Sequence, residues 1–392
     1  MALDAEYVTQ EQFEVFMNLG SEVSRIPGPL RASLRRQRDN NYIMVKSQTA
    51  QCSAPSPQSS DNPTRWLITG GCGFIGTNLV KNLVDEYGHF IRVLDNLSVG
   101  TREDLSRVCD FNELEPAYLS PQSSVLSPDH VELIAGDILD ADLALRAAQG
   151  MDVIIHLAAS TGVDQSIKDP RKDCKTNVIG TLNYLEAARH NDVKRFIFAS
   201  SGAPVGECDP PIHEEVVPHP VSPYGASKLA GEAYCSAYFR TYGIDTVVLR
   251  FGNVYGTLSS HKNSVVAKFI RQALQGEILE IYGDGNQTRD FIYLDDLIRA
   301  IRSAANVDGI GGEIFQIATG SESSISELVK ELDPILSAAG INGLKVINTK
   351  PRQGDVRRNY SDTSKALQLL GWRAKVRLRD GLEKTVRWFL NS

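Results

Sequence analysis

Tyr224 and Lys228, in the pentapeptide Tyr224-Gly225-Ala226-Ser227-Lys228, have the residue types and the spacing for proton transfer. A tyrosine hydroxyl titrates at about pH 10, so it acts as a base at neutral pH only where a nearby cation favours its phenolate. A lysine at i+4 on a helix supplies that cation. The same spacing also describes an ordinary surface pair of an aromatic and a cation, so its meaning depends on the rest of the chain. Ser201 lies 23 positions earlier, at the end of the apolar run from Arg195 to Ala199. Its hydroxyl is able to share a substrate proton with the tyrosine, whereas alone it would be a turn or cap residue.

A second group of residues has the chemistry of phosphate binding. Thr69-Gly70-Gly71-Cys72-Gly73-Phe74-Ile75-Gly76 follows Trp66-Leu67-Ile68 and opens the periodic stretch Ile75, Leu79, Val80, Leu83, Val84. This pattern predicts strand, tight turn and helix. Gly70 permits the turn, Gly73 lets the backbone approach a pyrophosphate, and Gly76 lets the helix pack on the strand. Phe74 and Ile75 begin the helix whose N-terminus faces the phosphates. A second strand, Phe90 to Leu94, ends in Asp95 and Asn96, with Asp95 nineteen positions after Gly76. A carboxylate there accepts hydrogen bonds from an adenine ribose diol and repels a 2′-phosphate, so NAD is expected rather than NADP.

These residues must be held by a framework, and the chain supplies one. Candidate strands at 65–69, 90–94, 131–135, 152–157, 194–199 and 244–249 alternate for the most part with helical patterns, predicting an α/β, Rossmann-type, doubly wound parallel sheet. Ligands of such sheets bind beyond the carboxyl ends of the strands. Asp137 and Ile138 after the third strand, and Leu157, Ala158 and Ala159 after the fourth, are therefore expected to line the cofactor cleft. His156, at the end of an apolar strand, reads as a hydrogen-bonded core residue. The segment between Leu97 and His130 reads as a loop insertion. Residues 1–62 stand apart as an extension and linker, with a basic patch from Arg31 to Arg38 read as a solvated face and a Ser/Pro/Gln-rich stretch from Ser47 to Pro63. Residues 63–249 are expected to form the NAD-binding domain, with 291–304 returning to it. Residues 250–290 and 305–392 are expected to form a smaller α/β C-terminal substrate domain.

Composition narrows the class further. The chain has 392 residues and a net charge of −7, which gives no reason to expect nucleic acid, and it lacks an apolar stretch of membrane-spanning length. Acidic residues spread through the first 25 positions argue against a secretory signal, and the expected compartment is the cytoplasm. Six cysteines without paired metal-ligand spacing read as reduced thiols, and no metal site is expected.

With the glycine turn, Asp95, Ser201, the Tyr-Lys pair and the strand order in agreement, the chain from about residue 64 to 392 resembles the extended short-chain dehydrogenase/reductase superfamily. Within it, the sequence is most similar to the NAD-dependent nucleotide-sugar epimerases and dehydratases. The resemblance implies Ser201, Tyr224 and Lys228 as a catalytic triad, Lys228 also reaching the nicotinamide ribose, with Asn177 supporting that centre. It implies that Asn253 contacts a nucleotide diphosphate and that Arg289 and Arg352 clamp it. Gln287 and Asp355 lie in the same two motifs, Tyr282 to Phe291 and Arg352 to Asp355. Paired, charge-assisted bonds from planar guanidinium groups to phosphate oxygens suit that role. A homodimer is expected on the same ground.

One departure separates reaction types. Where the family has Val-Tyr-Gly after the serine, this chain has Val205 in place of the aromatic residue. The two positions directly after Ser201, which carry Asp-Glu in 4,6-dehydratases and a glutamate at the second position in related decarboxylases, are Gly202 and Ala203. Epimerisation needs no such acid, so a UDP-hexose 4-epimerase passing through a 4-keto sugar is expected. Other redox enzymes of the fold and a non-catalytic NAD-binding sensor are the alternatives. Asn359, seven positions after Arg352, corresponds to the residue bordering the sugar C2 substituent and is small enough to admit N-acetyl groups; a loop-capping role with Tyr360 turned inward is the other reading.

Overall fold

In a computed structural model the described residues are 64–119, 129–260, 262–351 and 356–391. The expected N-terminal extension and the Arg352 to Asp355 motif lie outside them. Residues 62–392 belong to one compact unit.

The first seven strands build most of a single sheet: β1 (Arg65–Thr69), β2 (Phe90–Asp95), β3 (Asn112–Leu114), β4 (His130–Ala135), β5 (Val153–His156), β6 (Arg195–Ser201) and β7 (Thr246–Phe251). Further along come β8 (Asn253–Tyr255), β9 (Leu279–Tyr282), β10 (Thr288–Arg289), β11 (Phe291–Tyr293), β12 (Ile314–Ile317), β13 (Ser323–Ser324) and β14 (Val346–Thr349). The large sheet has the order β12-β7-β6-β5-β1-β2-β4-β3, and its pairings are parallel. The chain leaves β1 toward β2 and β4, then crosses back to β5 on the other side. The strand order therefore reverses at β1, and a crevice opens between the carboxyl ends of β1 and β5.

Alternation along the strands explains the two layers of helices. On β1, Trp66 and Ile68 face a core shared with Leu79, Val80 and Leu83 of helix Phe74–Val84 and with Leu297 and Ile301 of helix Leu294–Asn306. Leu67 points the other way, into a core with Leu143, Tyr184, Leu185 and Cys235. A third core, built on Phe269, Ile270, Leu328, Leu332 and Leu382, holds the smaller C-terminal lobe, where β14 pairs with β9. Among the described residues no helix is long and apolar enough to cross a membrane.

Two expectations are corrected. The segment from Leu97 to His130 is more than a loop: it carries helix Arg102–Ser106, whose Thr101 and Asp104 form a reciprocal cap, and the edge strand β3. The short strand was hard to foresee because its three side chains remain exposed or half-buried and show no apolar pattern. The boundary at 305 is also displaced. β12, expected in the substrate domain, extends the large sheet by pairing with β7, Ile314 opposite Val248.

Candidate functional site

β1 ends at Thr69 and the chain turns at Gly70, whose φ of 72° suits a residue without Cβ. A Cβ on Gly70 would lie 2.8 Å from the Ala158 nitrogen, so this turn is pressed against the residues that follow β5. At Gly76 a Cβ would meet the Gly70 carbonyl oxygen at 2.3 Å. Turn, helix and strand therefore approach as closely as backbones allow. Phe74, Ile75, Leu157, Ala158 and Ala159 are half-buried around this crevice.

Asp95 closes β2 with only 8% of its surface exposed. One carboxylate oxygen accepts from the Cys72 N–H at 3.0 Å and the other from the Leu97 N–H at 2.9 Å. Burial pushes its pKa up and these two N–H groups pull it back down. An ionised carboxylate offers about four acceptor sites, so two remain for a diol. Asn96 reaches Asp137 at 3.3 Å, and Ile138 is buried beneath. The arrangement fits a dinucleotide: a Cβ-free cradle at a helix N-terminus for the pyrophosphate, and a fixed acid at the next strand end.

At the ends of β5 and β6 the residues expected to transfer a proton come together. Helix Pro223–Tyr242 starts at Ser222, whose hydroxyl accepts from the Gly225 N–H at 3.1 Å, and stops at Gly243 in the left-handed region. Its first turn delivers Tyr224 to the Ser201 hydroxyl, which hydrogen-bonds it and lowers its pKa against the dominant upward push of burial. Ser201 Oγ also accepts from the Ala203 N–H at 3.1 Å. Lys228 is 4% exposed, donates from Nζ to the Ala199 carbonyl at 2.8 Å and lies 4.8 Å from the centre of the Phe198 ring. Burial brings its pKa down to about 8, with Asp173 and Glu232 acting in the opposite direction.

Asn177 sits in a π-helical stretch, Lys175–Ile179, a distortion often found at functional sites. Its side chain accepts from the Ser160 N–H at 2.8 Å and donates to the Ser160 carbonyl, to Asp173 and to Ser227 Oγ, each at 3.0 Å. It thus joins the chain after β5 to the helix of Tyr224 and Lys228. His156 lies in the core with both ring nitrogens engaged, by the Thr69 and Thr181 hydroxyls at 2.9 and 3.2 Å, and burial lowers its pKa to about 3.

Sequence reasoning missed several residues that fix this centre. Glu232 and Arg250, both 2% exposed, form a two-bond ion pair that ties the tyrosine helix to β7, and Ser200 donates to the same glutamate at 2.5 Å. Asp290 was noted only as part of a motif. It receives N–H bonds from Thr319, Gly320 and Ser361, holding β10 and β11 to the segment that carries Asn359. Asp173, one helical turn before Asn177, offered no sequence signal beyond that spacing.

The expected substrate residues are placed around the second lobe. Asn253 is exposed at the start of β8, opposite Phe291 of β11. Gln287 donates to the Tyr282 carbonyl at 2.6 Å, and Arg289 to the carbonyls of Thr288 and Val356 at 2.6 and 2.8 Å. Asn359 faces the turn after Ser201, since a Cβ on Gly202 would lie 3.5 Å from its amide nitrogen. Arg352 and Asp355 lie outside the described residues.

The family model described as the NAD dependent epimerase/dehydratase family matches residues 66–318. UDP-glucose 4-epimerase of Mycolicibacterium smegmatis is 37% identical over 333 residues, covering 84% of this chain and 99% of that protein. dTDP-glucose 4,6-dehydratase of Streptomyces niveus is 32% identical over 335 residues, covering 84% of this chain and 93% of that protein. Among solved structures, UDP-glucose 4-epimerase of Thermotoga maritima with UDP-glucose aligns at 36% identity with a TM-score of 0.74, over 84% of this chain and 99% of that one.

Proposed function

Since the chain belongs to the NAD dependent epimerase/dehydratase family, we propose that it is a nucleotide-sugar 4-epimerase acting on UDP-hexoses and their N-acetyl forms. NAD is the cofactor of this family and, when bound, supplies the reversible hydride acceptor. Its proposed holders are Gly70, Gly73, Phe74, Ile75 and Gly76 at the pyrophosphate and Asp95 with Asn96 at the adenine ribose. Asp137, Ile138, Leu157, Ala158, Ala159 and Asn177 would line the cleft, with Tyr224 and Lys228 at the nicotinamide end.

Tyr224, as phenolate, takes the proton from the sugar O4 while Ser201 holds that oxygen. Lys228 contributes the positive charge that favours the phenolate. Asn253, Arg289 and Arg352 keep the diphosphate in place while the 4-keto sugar turns, and the proton returns to O4 from the tyrosine.

The observation that carries the choice of reaction is the absence of a carboxylate on Gly202 and Ala203 beside Ser201. Elimination of water at C5 and C6 needs an acid and a base there. The Streptomyces niveus relative makes the dehydratase the competing reading. Incubation of the purified protein with UDP-glucose, UDP-galactose and their N-acetyl counterparts, followed by separation of the products, tests the proposal. C4 epimers should form without accumulation of reduced nicotinamide. A 4-keto-6-deoxy product would assign the dehydratase reaction instead.

A further inference from the structure

Lys262 stands in the turn between β8 and helix Val265–Leu274, on the C-terminal lobe. That turn is fastened from two sides. Arg271 donates to the carbonyls of Ser260 and Lys262 at 2.8 and 2.6 Å and to the Asn263 side chain at 3.3 Å. From helix Phe74–Val84, Asn78 donates to the Phe74 carbonyl at 2.8 Å and to the Thr257 carbonyl at 3.4 Å. The Lys262 backbone is thus fixed beside the first turn of the helix that follows the glycine-rich turn, and its Nζ lies 5.3 Å from the centre of the Phe74 ring.

Side chains on a helix lean toward its N-terminus, so the ring of Phe74, the first helical residue, brings the amine to that end. There the N–H groups of Phe74, Ile75 and Gly76 have no acceptor within the helix, and Gly73 at the N-cap has no side chain to supply one. A cation held at the positive end of a helix is repelled by it unless an anion comes between the two. Lys262 has no acceptor for its amine among the described residues, and burial lowers its pKa from the ordinary lysine value. Other lysines seated over rings have a carboxylate: Lys268 pairs with Glu280, Lys365 with Glu313 and Lys384 with Asp295, at 2.7 to 3.6 Å. Lys228, at the nicotinamide end of the proposed cofactor site, and Lys262, beside its pyrophosphate end, have none.

We propose that Lys262 is a cofactor-binding residue whose ammonium donates to the dinucleotide pyrophosphate at the N-terminus of helix Phe74–Val84, so that the C-terminal lobe takes part in retaining the cofactor. The proposal rests on the reading of Gly70 to Gly76 as the pyrophosphate cradle. It suits an enzyme that restores its nicotinamide within each cycle and has no need to release it.

Lys262→Met keeps the length and the apolar stem and removes the charge. Exchange of bound NAD for isotopically labelled NAD, followed in the full chain, should quicken at least about tenfold. ADP-ribose, which has the pyrophosphate and lacks the nicotinamide, should bind at least about tenfold more weakly by calorimetry once bound NAD is removed. Lys262→Arg keeps a charged phosphate donor and should stay within about threefold of the native chain in both measurements. If Lys262→Met does not yield folded protein, Lys262→Gln enters the same measurements with the same expectation. Unchanged exchange and ADP-ribose affinity would make Lys262 a packing partner of Phe74 and overturn the proposal, as would equal losses in the Met and Arg variants. A loss confined to UDP binding by the NAD-loaded protein would assign the cation to the substrate diphosphate and overturn it too. Gly76→Ala distinguishes the two readings. Normal NAD exchange in that variant would remove the cradle and the proposal with it, whereas faster exchange in Gly76→Ala but not in Lys262→Met would sink the proposal alone.

Discussion

Tyr224 is held by short-range partners whose chemistry sets its behaviour: burial and the Asp173 charge oppose its ionisation, and the Ser201 hydroxyl favours it. Tyr224→Phe keeps the ring and removes the proton acceptor, so turnover should fall by a factor of about 100 or more while calorimetry still detects NAD binding. Asn359, beside Gly202, is the residue proposed to set which sugar enters. Asn359→Tyr should overfill the C2 pocket, costing N-acetylated substrates far more kcat/KM than unsubstituted hexoses. Equal losses on both would mean that this residue does not set pocket size. His156 affects stability rather than chemistry. Its folded pKa of about 3 lies below the ordinary value, so the unfolded chain takes up the proton first, at about pH 6.5. The stability it contributes is complete above that pH and is lost as pH falls toward 3. Urea unfolding at a series of pH values should show the decline, and His156→Gln should flatten it.

Elements position these residues through close approach. The turn after β1 tolerates no Cβ at Gly76 because the obstacle is the Gly70 carbonyl, a backbone atom with nowhere to move. Gly76→Ala should therefore weaken NAD affinity at least about tenfold and lower the unfolding midpoint, both measurable on the purified protein. Much of this level was legible from the sequence. The glycine spacing and the apolar runs announced β1, β2 and β4 to β7, because side chains buried on both sheet faces leave continuous hydrophobic stretches. β3 and β12 were not announced: the first has no buried side chain, and the second is a four-residue run in a region whose motifs pointed to substrate binding. Asp173 and Glu232 escaped for a different reason. Asp173 reaches Ser227 through the Asn177 amide, and Glu232 pairs with Arg250, contacts that no local pattern connects.

For the molecule as a whole, the large sheet and the C-terminal lobe belong to one unit from residue 62 onward, and the family match begins at residue 66. A chain lacking residues 1–60 should bind NAD and retain at least part of the proposed epimerase activity. A truncated protein that binds NAD and turns over no substrate would give the N-terminal arm a part in the site. Beyond Ser201, the chain makes an excursion and is stitched down at a distance. Ile212 exchanges backbone bonds with Tyr360 and Asp362, and Glu214 accepts from the Gln316 N–H of β12. This seam joins two stretches of chain some 150 residues apart, on the order of a whole small domain. On the proposed reading the two segments act as a matched pair: a graft of 206–220 from a relative, without its own counterpart of 356–362, would arrive with the seam cut.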